Sequence, residues 1–139
     1  MSETKHTAEQ KVKYLVLGVH ARFNDGEVAP LADLTGEEID DAYQGLVDAD
    51  EHWDAQSEVR EGEFETGLKC DWSRHYESKA VAAKLPDGSW VGWTYWYGGG
   101  KHGEPEAIEW MDSAYDLTCT EEEKVVTVRT FSKAEGSLT

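Results

Sequence analysis

The chain has 139 residues, with 29 Asp and Glu against 13 Lys and Arg and a formal net charge of −16 at pH 7. A surface this negative repels DNA and RNA phosphates, which argues against direct nucleic-acid binding and favours basic protein partners. The length fits one domain with its own core, and six Trp, six Tyr and three Phe separate it from acidic disordered chains, which are poor in aromatics.

Residues 1–10 read as a flexible tail, although Thr7 and Gln10 have capping-box spacing for a helix starting there. The same stretch is polar and lacks the apolar core of a signal peptide. Lys11–Phe23 is ambiguous. Val12, Leu15, Val16, Val19 and Phe23 recur at helical spacing, but three Val, Tyr14 and Gly18 suit a buried strand, and the strand is favoured. Asn24-Asp25-Gly26 turns the chain.

A helix is predicted after Thr35. Thr35 and Glu38 form a capping box, and Glu37 and Glu38 complement the helix dipole in the first turn. Ile39, Ala42, Tyr43, Leu46, Ala49 and Trp53 fall on one face. Glu37, Asp40, Asp41, Asp48, Glu51 and Asp54 gather on the other, while Val47 and Asp50 fit neither. This helix would run about 25 Å. It lies within residues 25–65, which hold fifteen acids and a single base, Arg60, for a net of −14.

From Glu58 the period becomes two. Val59, Phe64, Leu68 and Cys70 fit strands broken near Gly62 and Gly67. Lys79–Leu85 and Ser89–Tyr97 form a hairpin across Pro86-Asp87-Gly88. In its second strand Trp90, Thr94 and Trp96 point one way and Val91, Trp93, Tyr95 and Tyr97 the other. Residues 98–103 are a glycine-rich loop, Glu106–Ser113 a short helix after Pro105, and Ala114–Thr120 with Lys124–Phe131 a final hairpin. Residues 132–139 should fray. The whole reads as a single α+β domain over residues 11–131, a mostly antiparallel sheet with one main amphipathic helix packed on it.

Three groups of residues are candidates for function. The acidic helix face (Glu37, Asp40, Asp41, Asp48, Glu51, Asp54) could contact a basic partner or could simply be solvated. Its concentration exceeds what solubility requires. Gly98, Gly99 and Gly100, with Lys101 and His102, could turn backbone N–H groups and two cations toward an anion, or could be a plain connection. The spacing matches neither a P-loop nor a dinucleotide fingerprint. Trp93, Tyr95 and Tyr97 could form a contact patch, or fill the core.

Catalytic signals are poor. Cys70, Asp71, Arg74, His75 and Glu77 cluster, but nothing positions a third group. The five His lack metal-ligand spacing, so neither a metal nor a cofactor is expected. Cys70 and Cys119 read as reduced, partly buried thiols without a catalytic role. No apolar run approaches the roughly 20 residues that span a bilayer.

The stretch SWVGWTYWYGGGKHGEPEAIEWM, within a likeness covering roughly residues 72–131, resembles small acidic proteins encoded by bacteriophages and prophages. The resemblance assigns no catalytic residue. It implies a short bacterial or phage chain of the accessory kind, a group in which inhibitors of host proteins and anti-defence factors are common, while the polar N-terminus and the missing apolar run lead to the expectation of a soluble, cytoplasmic protein. The leading expectation is a non-enzymatic factor whose acidic face mimics nucleic acid and inhibits a host nuclease or defence complex. The alternative is a small-molecule or anion-binding domain, or small enzyme, using the glycine loop and aromatic strand, with a cavity between the helix and that strand. A structural or virion component that acts as an oligomer through its aromatic face is a third expectation.

Overall fold

The computed structural model describes residues 6–70, 72–100, 103–105 and 108–134. Three helices, α1 (Ala8–Phe23), α2 (Gly36–Asp48) and α3 (Trp53–Arg60), precede a four-stranded antiparallel sheet. Its strands β1 (Phe64–Glu65), β2 (Glu77–Lys84), β3 (Trp90–Tyr97) and β4 (Tyr115–Leu117) are ordered β1-β2-β3-β4. The chain is an α+β fold, as its pattern of elements predicts.

Residues 11–23, favoured as a strand, belong to α1. The Thr7–Gln10 capping box starts this helix inside the stretch expected to be a tail, and His6 is held by the Leu34 carbonyl at 2.7 Å. Val12, Val16 and Val19 are buried at i, i+4 and i+7. Each β-branched residue costs a helix a few tenths of a kcal/mol, whereas burying it gains about 1.5–3 kcal/mol. Burial decides the element.

The helix predicted after Thr35 forms with both halves of its capping box, but it does not run through to Asp54. It closes at Asp48 in a Schellman motif, in which Glu51 N–H bonds to the Leu46 carbonyl and Asp50 N–H to that of Val47. Asp50 takes the left-handed conformation, φ 58°, that this cap requires, and its carboxylate accepts a bond from Trp53 Nε1 at 2.6 Å. The chain then restarts as α3. The end of α1 repeats the device with Asp25 at φ 56°. Glycine usually fills that position, which is why neither stop is written plainly in the sequence.

α2 packs chiefly on α1, and α1 contacts β3 and β4. The helix on the sheet is therefore the expected strand, and the expected sheet-packing helix lies one layer further out. Val81, Ala83, Val91 and Trp93 face α1 in the core. The register pairs Lys84 with Trp90 and Glu77 with Tyr97 around the 86–88 turn. There Gly88 takes φ 91°, and Asp87 accepts from Ser89 N–H and hydroxyl.

Among the described residues, no helix lies on the opposite face of the sheet. Ala80, Ala82, Gly92 and Thr94 are buried there beneath larger neighbours. A Cβ on Gly92 would lie 2.7 Å from Leu117 Cδ1 and 2.9 Å from the Tyr115 ring. Phe64 and Trp90 pack at 5.6 Å.

The final hairpin is absent. Only Tyr115–Leu117 pairs with β3, and residues 118–134 have no regular structure. Within the expected helix 106–113, residues 106 and 107 lie outside the described part, and Met111–Ser113 forms a 3-10 turn.

Candidate functional site: an acidic outer layer

The layering of sheet, α1 and α2 explains where the charge sits. α2 buries only Ile39 fully, with Tyr43, Leu46 and Val47 half-buried toward α1 and the 108–111 region. Ala42 and Ala49, assigned to the buried face by periodicity, are exposed, and Trp53 is exposed on α3. Of the fifteen acids in residues 25–65, all but Asp40 are exposed. Arg60, the lone base among them, is turned inward. It donates to the Trp96 carbonyl at 2.7 Å and stacks 4.8 Å from the Tyr95 ring.

The six predicted face residues are not equivalent. Glu37, Asp41, Asp48, Glu51 and Asp54 are exposed, with Asp48 accepting from Gln44 and Glu51 lying 3.9 Å from His20. Asp40 instead ties α2 to α1, taking Gln10 Nε2 at 3.0 Å and Lys13 Nζ at 3.1 Å. Burial opposes its charge, but these two bonds and the Lys13 charge outweigh burial and hold the carboxyl below its usual range. Lys13 shows the reciprocal effect. Burial works against its charge, yet Asp40 and Glu9 raise its pKa. Asp40 is thus a structural bridge rather than part of a free face. The sequence carried no sign of this, because Lys13 comes from another helix 27 residues away.

The glycine loop has local structural reasons for its composition. Gly98, Gly99 and Gly100 have φ of 78°, 88° and 73°, where other residues are strained. A Cβ on Gly99 would lie 2.5 Å from the Tyr76 ring, whose hydroxyl accepts from Glu104 N–H at 3.2 Å. Lys101 and His102 lie outside the described residues.

The aromatic patch divides. Trp93 is fully buried, packed 5.3 Å from Trp110 and donating Nε1 to the Arg60 carbonyl, so it cannot meet a partner. Tyr95 and Tyr97 are half-buried, 5.5 Å apart, with Lys79 near both rings.

Cys70 is half-buried and within 3.5 Å of Ser78 Oγ, whereas Cys119, expected to be partly buried, is exposed; both are free. A cavity of about 800 Å³ lies between α1, the 26–30 loop and the end of α3, and a smaller one of about 370 Å³, lined by Glu61, Glu63, Glu65, Lys79 and Tyr95, reaches the aromatic strand. Tyr14, Leu15, Val19 and Val59 line the larger cavity, with Glu27, Glu58, Glu61, Glu63 and Arg22 contributing charge. Among the described residues, no group of three or more His, Cys, Asp or Glu could hold a metal, and no helix is long and apolar enough to cross a membrane. No protein-family model, curated protein or solved structure matches the chain.

Proposed function

We infer that the protein is a non-enzymatic accessory factor that binds a basic surface on a partner protein through the outer carboxylates of α2 and α3. The observation that carries this reading is the sorting of charge: fourteen of fifteen clustered acids face solvent, and the only base among them faces inward. Solubility alone does not require such separation. Side chains at i, i+3 and i+4 on a helix lie about 5–6 Å apart. Glu37 and Asp41 have that spacing within α2 and Asp48 continues their stripe two turns on, so this part of the face can occupy a groove built for a phosphate backbone, while Glu51 and Asp54 lie past the turn that ends α2. In this reading Glu37, Asp41, Asp48, Glu51 and Asp54 steer the encounter, Asp40 holds their helix in place, and the partner is a nucleic-acid-handling protein such as a host nuclease or defence complex. The small-molecule alternative is less well supported, because the 800 Å³ cavity lies away from the glycine loop and the aromatic strand that this alternative uses.

The test is capture from a bacterial lysate with the wild type and with a variant carrying Glu37→Gln, Asp41→Asn, Asp48→Asn and Asp54→Asn. A basic partner should be held at about 50 mM salt, released at about 0.5 M, displaced by duplex DNA and missed by the variant. Equal capture by the variant would remove the reading.

A further inference from the structure

The segment after β4 conflicts with the rest of the molecule in two respects. It is apolar yet bare, with Val125, Val126, Val128 and Phe131 at 103, 75, 84 and 86% exposure. It is also basic in an acidic protein: residues 124–133 (KVVTVRTFSK) hold three bases and no acid. Its composition is that of a strand, rich in Val and Thr, with Val126, Val128 and Thr130 on one side and Val125, Thr127, Arg129 and Phe131 on the other. Among the described residues, no backbone hydrogen bond joins 118–134 to the sheet. Four large side chains in water would forgo about 1.5–3 kcal/mol each that burial would supply.

The sheet offers two open edges, β1 and β4. At β4 the acid, Asp116, lies on the α1 face and is already bonded to Lys11 at 2.7 Å. Beside β1 stand Glu61, Glu63 and Glu65, of which, among the described residues, only Glu65 is paired to a base, and Phe64 is exposed next to Trp90. Side-chain parity agrees with this edge. A strand that sets Val126 and Val128 beside Phe64 sets Arg129 on the face of Glu63 and Glu65.

We propose that residues 124–131 form a strand that adds to the β1 edge of a second copy of this chain, Val126 and Val128 covering its Phe64–Trp90 pair and Arg129 meeting its Glu63. Reciprocal exchange closes a two-fold dimer. The basic strand offsets the repulsion that two chains of −16 would otherwise feel, and six residues (118–123) give it a reach of about 20 Å.

Sedimentation equilibrium of the full chain should show twice its 15.6 kDa mass. Val126→Glu with Val128→Glu should weaken the dimer at least about tenfold while the far-ultraviolet spectrum holds, because both side chains are exposed within the protomer. Glu63→Arg and Arg129→Glu should each weaken it, and together restore most of the loss. A wild type that stays monomeric to about millimolar concentration overturns the proposal. So does a monomer whose 124–131 amides are protected from exchange, which would mean pairing with its own β4. A dimer insensitive to both the valine and the charge variants overturns it too.

Discussion

Neutralising Asp40 should destabilise the protein, whereas neutralising its neighbour Asp41 should not. The two carboxylates are adjacent in sequence and both lie on the predicted outer face, but only Asp40 accepts from Gln10 and Lys13 of α1. Hydrogen bonds to a charged group are worth about 1.5–3 kcal/mol when well shielded. The Asp40 side chain is 43% exposed, so solvent screening reduces the loss in Asp40→Asn to about 1 kcal/mol. In a domain of this size that lowers Tm by about 3–4 °C. Asp41→Asn should stay within about 0.5 kcal/mol or rise slightly as like-charge repulsion is relieved. Calorimetric melts at pH 7 measure both. The pH dependence adds a second constraint. The folded pKa of Asp40 is depressed, so its contribution is complete above the ordinary value of 3.8 and is lost as the pH falls through the lower folded value. Wild type and Asp40→Asn should therefore converge in strong acid. Equal Tm changes for Asp40→Asn and Asp41→Asn, or a gap that persists in acid, would refute the bridge.

Asp25→Gly should raise stability by about 0.5–1 kcal/mol, because Asp25 sits at φ 56° in the cap of α1, where glycine carries no steric penalty; chemical denaturation with an unchanged slope measures it. Gly99→Ala should cost more than about 1 kcal/mol, since its φ is 88° and its Cβ would meet the Tyr76 ring; a thermal melt no lower than wild type would contradict that loop geometry. In thiol titration of the native protein, Cys119 should react at once and Cys70 more slowly, following their exposure.

The α+β class, both capping boxes and the 86–88 hairpin could be read from the chain, because each depends on residues within a few positions of one another. So could the concentration of acids in residues 25–65, which is a matter of composition. What escaped the sequence was set by neighbours far along the chain. Val12, Val16 and Val19 suit either a strand or a helix, and only packing between the sheet and α2 makes them one buried stripe. Asp50 looks like another surface acid until the chain must reverse there to lay α3 against α1. Trp93 and Tyr95 point to the same side of β3, yet Trp93 is buried against Trp110 from the segment before β4, whereas Tyr95 stays half-exposed beneath Arg60. Asp40 and Asp41 differ because a helix can present a side chain to a neighbour only along one stripe, and the crossing of α1 with α2 selects which carboxylate faces Lys13. Local patterns reveal what a segment favours by itself, whereas these outcomes depend on contacts that exist only after distant segments have packed.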